Sequence, residues 1–108
     1  MADIAPYLER VCARFEQPAM RQTFQGFART IQFFFPDLQR TFVLNIASDG
    51  NAQLAEKTLS QPDITVTTSS DTLAGILDRK INPELAFITR KLKVSGKMED
   101  LLKLQKLL

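Results

Sequence analysis

Cys12, Asp63, Glu99 and Asp100 are the side chains that stand out for acid–base or nucleophilic work, and the rest of the sequence gives them no partners. The chain has no histidine, which removes the commonest general base, the commonest metal ligand and every Ser-His or Cys-His pair. Glu99 and Asp100 are adjacent, and neighbours on a helix point in different directions, so they read as solvated positions rather than a catalytic pair. One cysteine cannot build a zinc site or an internal disulfide, and Cys12 occupies a helix-periodic apolar position suited to a core thiol. The glycines stand singly at Gly26, Gly50, Gly75 and Gly96, which is no phosphate-cradling loop. The residues therefore point away from an enzyme, a metal centre or a cofactor and towards binding.

Charge narrows the binding partner. Between Arg90 and Lys106 the chain carries Arg90, Lys91, Lys93, Lys97, Lys103 and Lys106 against Glu99 and Asp100, an excess of four (six minus two). The whole chain has 14 basic and 12 acidic residues, a net of +2, too little to argue for nucleic acid. No aromatics are interleaved with the basic cluster to stack on bases, so no nucleic-acid partner is expected. The same region ends in "KMEDLLKLQKLL", a helical pattern with Met98, Leu101, Leu102, Leu104 and Leu108 in one broad arc, Leu107 just outside it, and Glu99, Lys103 and Lys106 opposite. By periodicity alone this helix plugs a core, and the sharper reading is that it lies over a space kept for an apolar ligand.

The elements that position these residues follow from length and pattern. At 108 residues with 44 % hydrophobic and 24 % charged positions, residues 1–108 form a single soluble domain with one core. The lone cysteine, the lack of a ~20-residue apolar run and the absence of a basic-then-apolar start make the cytoplasm the expected compartment. Residues 5–16 carry Leu8, Val11, Cys12 and Phe15 at helical spacing, and Pro18 opens a second short helix running to Phe24. Ile31, Phe33 and Phe35 then fall on one face of a strand that stops at Pro36-Asp37. Phe42, Leu44 and Ile46 alternate with Val43, Asn45 and Ala47 before the turn "SDGN", and a weaker strand covers 52–58. Ile64 and Val66 alternate with Thr65 and Thr67 in a fourth strand. Turns this short imply antiparallel pairing with one polar face, and the apolar face needs helices over it. Ser70 or Asp71 caps a helix with Leu73, Ile76 and Leu77 inward. Asn82-Pro83 caps another, with Leu85 and Ile88 on one side. A fifth strand turns Leu92 and Val94 inward and ends at Gly96. The fold class is α+β, a five-stranded, largely antiparallel sheet covered on one face by helices.

From "QPDITVTTSSDTLAGILDRKINPELAFITRKLKVSGKMEDLLKLQKLL" onward the sequence resembles the C-terminal half of the sterol carrier protein family of small lipid-binding domains. The resemblance rests on Pro62-Asp63, Asn82-Pro83, Ala86-Phe87, Lys91-Leu92-Lys93, Gly96 and the Lys-, Leu- and Gln-rich stretch from Leu102 to Leu108. It implies a hydrophobic tunnel between sheet and helices, bordered by the last helix, that holds a fatty acid, fatty acyl-CoA, phospholipid or sterol-like ligand without catalysis. The inward residues then become the candidate lining: Phe42, Leu44, Ile46, Ile64 and Val66 on strands; Leu73, Ile76, Leu77, Leu85 and Ile88 on helices; and Leu92, Met98, Leu101 and Leu102 at the end of the chain. The pattern departs from relatives at Arg79 and Arg90, where glycine is frequent, and at Lys97, where an acid is common. Arg90 and Lys97 are thus the candidates for contact with an anionic head group or, transiently, with a membrane surface. Lys106-Leu107-Leu108 is not a peroxisomal address of the Ser-Lys-Leu type. The alternative the resemblance leaves open is an accessory domain that presents a lipophilic substrate, such as a quinone precursor, to partner enzymes.

Overall fold

Ile31, Phe33 and Phe35 share one face of their strand and need a cover. In the computed structural model, which describes residues 3–107, they lie in β1 (Thr30–Phe35) and are 0 to 1 % exposed. The other strands are β2 (Arg40–Ile46), β3 (Ala52–Glu56), β4 (Ile64–Thr68) and β5 (Leu92–Gly96), in the spatial order β3-β2-β1-β4-β5. Register sets the inward residues in rows: Phe42 pairs with Phe33, Phe33 with Val66, and Val66 with Val94. Leu44, Ile31 and Ile64 make the neighbouring row. The alternation read from the sequence therefore has the correct phase in β1, β2, β4 and β5.

Pairing is antiparallel everywhere except between β1 and β4, which run parallel. The sheet is thus largely antiparallel, as expected, and the one parallel pair departs from the reading that short connections imply antiparallel neighbours. Residues 57–63 carry the chain back without a helix. They must span about 14 Å across three strand spacings, and seven extended residues reach ~23 Å. The crossing segment passes over the face away from the helices, where the Leu59 amide donates to Gln32 Oε1 at 2.7 Å. Gln32 sits opposite Val43, which is 1 % exposed yet stands outside the main core cluster. The face expected to be polar thus has one buried apolar residue of its own.

The helices are α1 (Ile4–Ala13), α2 (Pro18–Thr23), α3 (Ser70–Leu77), α4 (Pro83–Ile88) and α5 (Met98–Leu107), with a 3-10 turn at Arg14–Glu16. α1 buries Ile4, Leu8 and Val11 at helical spacing, and Phe15 follows them into the core against Phe24, ring centroids 5.1 Å apart. The turn before β3 closes on Gly50, where a Cβ would stand 2.6 Å from the Arg21 carbonyl oxygen. Asn82 caps α4 as its type suggests, accepting from the Glu84 amide at 2.8 Å and the Leu85 amide at 3.3 Å. The cap of α3 is Ser69 rather than Ser70 or Asp71, its hydroxyl oxygen accepting from the Thr72 amide at 3.1 Å.

α3 and α4 end alike. Arg79 (φ 62°) and Arg90 (φ 63°) occupy the left-handed position after each helix, and the amides of Lys80 and Lys91 bond back to Gly75 and Ala86 at 2.8 and 2.9 Å. A left-handed residue with a Cβ costs about 1–2 kcal/mol there, and glycine avoids that cost.

Ser70, the first residue of α3, is tied to the β1–β2 turn. Its hydroxyl donates to Asp37 Oδ2 at 2.5 Å and its amide to Asp37 Oδ1 at 3.1 Å. Partial burial pushes the Asp37 pKa up, but the Ser70 hydrogen bonds outweigh it and leave the carboxyl below the usual range. Asp78 is lowered first by the Tyr7 hydroxyl, which donates to it at 2.7 Å, and Glu56 by the Arg40 guanidinium. A depressed folded pKa means that the unfolded chain takes up the proton more readily. The stabilisation is therefore complete above the ordinary carboxylate range and disappears as pH falls through the folded values. We expect the thermal midpoint to drop on acidification from about pH 5 to pH 2, and Asp37→Asn to make that drop shallower. Thermal scans at stepped pH check this, and identical acid profiles for the two proteins would count against it.

Candidate functional site

Of the fourteen candidate lining residues, Phe42, Leu44, Ile46, Ile64, Val66, Leu73, Ile76 and Leu92 are buried, 0 to 4 % exposed, and belong to one core cluster. Leu77 and Leu101 are half-buried against it. Four residues read as inward face solvent instead: Leu85 (59 %), Ile88 (74 %), Met98 (70 %) and Leu102 (56 %). In α4 the inward position belongs to Ala86, 2 % exposed, whose small side chain lets the helix sit close to the core. Six residues give too little periodicity to fix such a face from sequence.

α5 is rotated by roughly one residue, ~100°, from the arc expected. Its buried side is Asp100, Leu104 and Leu107, with Leu101 half-buried beside it. Leu108, placed in the arc by sequence, lies outside the described residues. Polar contacts set the rotation. Arg29 Nε meets Asp100 Oδ2 at 3.3 Å, Lys103 Nζ donates to the Thr23 carbonyl at 2.6 Å, and Arg14 Nη1 donates to the Leu107 carbonyl at 2.7 Å. Asp100 and Lys103 looked solvated in the sequence because their partners are 71 and 80 residues away.

Beneath the helices the core is filled by Phe15, Phe24, Phe33 and Phe35, each at most 2 % exposed. Phe34 and Phe87 contribute nothing to that filling, being 37 and 54 % exposed. Two cavities open beside it. One, about 300 Å³, lies between α1 and β3 and includes Glu9, Cys12, Glu16 and Arg21. Burial first, and Glu16 next, push the Cys12 thiol pKa up, which makes it a poor nucleophile and fits the packing role.

The other cavity, about 330 Å³, lies where α3 and α5 end, and its walls combine two chemistries. Arg14, Arg79 and Lys106 supply three cations, and among the described residues no acidic side chain lines it. Met20, Ile76, Leu77 and Leu107 lie behind these cations and pack into the core, so the exposed wall, which also includes Gln17, is mostly polar. Ile76 and Leu77 were candidates from sequence. Arg79 and Lys106 were visible there as a departure and as part of the basic cluster, but nothing in the pattern linked Arg14 to them. Arg90 and Lys97, the sequence candidates for a head group, are exposed at opposite ends of β5 and do not meet in one site.

The arrangement defines a class: a small α+β domain whose helices close over an apolar sheet face, with cations at the rim of the closure. The sequence matches the SCP-2 sterol transfer family over residues 8–108, and the chain belongs to that family. It is 33 % identical over 69 residues, 64 % of its length, to chicken (Gallus gallus) "Sterol carrier protein 2", of which the match spans 12 %. The solution structure of the sterol carrier protein domain 2 of Helicoverpa armigera superposes with a TM-score of 0.79 at 23 % identity, covering 96 % of this chain and 84 % of that one. UbiJ-SCP2, a ubiquinone synthesis protein, gives a TM-score of 0.68 at 16 % identity, with coverage of 99 and 93 %. The double mutant of the sec-alkyl sulfatase PisA1 gives 0.71 at 25 % identity over 82 % of this chain but 14 % of that enzyme. Among the described residues no helix is long and apolar enough to cross a membrane.

Proposed function

We propose that the protein binds and transfers a single-chain lipid with an anionic head group, such as a fatty acid or fatty acyl-CoA, without catalysing a reaction on it. The observation that carries this reading is the cavity of Arg14, Arg79 and Lys106, backed by Met20, Ile76, Leu77 and Leu107, which pack into the core. The head group binds the cations, and the acyl chain enters beneath α5 among the buried candidate lining residues. A dry, empty tunnel on the order of 400 Å³ would cost up to ~10 kcal/mol, so the aromatic core packs shut when no lipid is present. Each methylene buried by a ligand contributes ~0.8 kcal/mol, so chain length sets affinity and the head group sets preference.

Native mass spectrometry of the purified protein, followed by extraction of whatever stays bound, tests the proposal. Near one acyl lipid per chain is the expected result, and a clean unliganded mass that no added lipid shifts or stabilises would overturn it. Reversing two cavity charges, Arg79→Glu with Lys106→Glu, should lower affinity for a fatty acid about 10- to 100-fold. Binding of a neutral sterol should change little, as read by displacement of a fluorescent fatty acid.

A second reading is a non-enzymatic module that presents a lipophilic substrate, such as a quinone precursor, to partner enzymes. The likeness to the ubiquinone synthesis protein and the occurrence of the fold as 14 % of a sulfatase chain support it. Stable partners in pull-downs, with an isoprenoid extracted in place of an acyl lipid, would favour it.

A further inference from the structure

α4 presents Leu85, Phe87 and Ile88 to solvent, 59, 54 and 74 % exposed, on a helix of six residues. Lys80 precedes it, Arg90 and Lys91 follow it, and Lys93 continues on β5; all four are exposed. Among the described residues none of the four makes an ion pair, and the only acidic side chain from Lys80 to Lys93 is Glu84. Three large apolar side chains exposed within four residues, flanked along the chain by four exposed cations and one anion, combine apolar surface with positive charge.

We propose that α4 docks the protein on an anionic lipid bilayer, with Leu85, Phe87 and Ile88 entering the acyl boundary and Lys80, Arg90, Lys91 and Lys93 lying at the phosphate level. This deepens the lipid-transfer reading and rests on it, since a carrier must meet the surface from which its lipid comes. Size and charge select the bilayer over other occupants. The helix is about 9 Å long, and a stable protein interface covers ~800 Å² on each partner, far more than one turn offers. A second copy of this chain would set cations against cations. A bilayer accepts a short apolar wedge and supplies the negative charge.

Co-sedimentation with phosphatidylcholine vesicles and with mixed phosphatidylcholine–phosphatidylglycerol vesicles tests the proposal. Partition should be at least about tenfold stronger onto the mixed vesicles and should weaken as salt is raised. The triple substitution Leu85→Ser, Phe87→Ser, Ile88→Ser should lower it at least ~10-fold, while the protein stays folded because these side chains are already in water. Arg90→Gly should raise thermal stability and lower vesicle partition, opposite signs that a purely structural role cannot produce. Unchanged partition in the triple variant, or no partition by the unmodified protein, would overturn the docking role, as would an acidic protein captured in place of vesicles. Fluorescent fatty-acid binding without vesicles separates the two readings. Fatty-acid binding without partition leaves the carrier standing and removes the docking, and partition without fatty-acid binding does the reverse.

Discussion

Ending the chain at Gly96 should reduce lipid affinity at least ~100-fold while leaving much of the sheet formed, because α5 supplies closure rather than strands. Every strand precedes that point, and β5 keeps its antiparallel partner β4. What the shortened chain loses is Leu104 and Leu107, buried at 3 and 0 %, and Lys106 of the cationic cavity. Each buried leucine contributes roughly 1.5–3 kcal/mol. The pair is therefore worth about 3–6 kcal/mol against a net domain stability of ~5–15 kcal/mol. The shortened protein should remain folded with a lower melting point. Circular dichroism establishes the sheet, and fatty-acid titration then reads the site. A folded, shortened protein that binds lipid with undiminished affinity would rule out α5 as the closure.

The second large effect is an asymmetry within one ion pair. Asp100 exposes 8 % of its side chain and Arg29 37 %, so Arg29 can recover water when its partner is removed and Asp100 cannot. Arg29→Ala should cost about 3 kcal/mol, since it leaves a buried carboxylate in the first turn of α5 without its cation. Asp100→Ala should cost ~1–2 kcal/mol, and the double substitution less than the sum of the two. Urea unfolding of the three variants measures this, and equal costs for the two single substitutions would refute the asymmetry. Because the pair anchors the first turn of α5, both substitutions should also speed uptake of a fluorescent fatty acid even as stability falls.

Much of this architecture could be read in the sequence, and the failures have physical causes. Period-two alternation fixed the inward faces of Phe42, Leu44, Ile46, Ile64, Val66 and Leu92, because a strand with one buried face leaves no freedom of phase. The parallel β1–β4 pair was hidden, since nothing local distinguishes a crossing segment from a long turn. Short helices failed similarly: α4 turns Ala86 inward and leaves larger neighbours in water, a choice made by close packing and not by hydropathy. The rotation of α5 depended on partners far along the chain, and so did the assembly of Arg14 with Arg79 and Lys106. The motifs behind the family resemblance, by contrast, have visible local duties. Asp63 accepts from the Thr30 amide at 2.9 Å, Asn82 caps α4, and Gly96 passes 2.9 Å from the Asp63 carbonyl at the point where a Cβ would stand.

The parallel pair at the centre of the sheet also has a temporal meaning. β1, β2 and β3 form a meander from neighbouring stretches of chain, whereas β4 and β5 meet over a separate helical excursion. Within the sheet, the β1–β4 seam joins these halves, between residues some 33 positions apart, as at Thr30 and Asp63. Each half can gather early from local contacts, and the late, entropically expensive event is the closing of the seam. The sheet is thus two semi-independent leaves sutured along Ile31, Phe33, Ile64 and Val66, and its cooperativity as one folding unit is concentrated in that line of stitches.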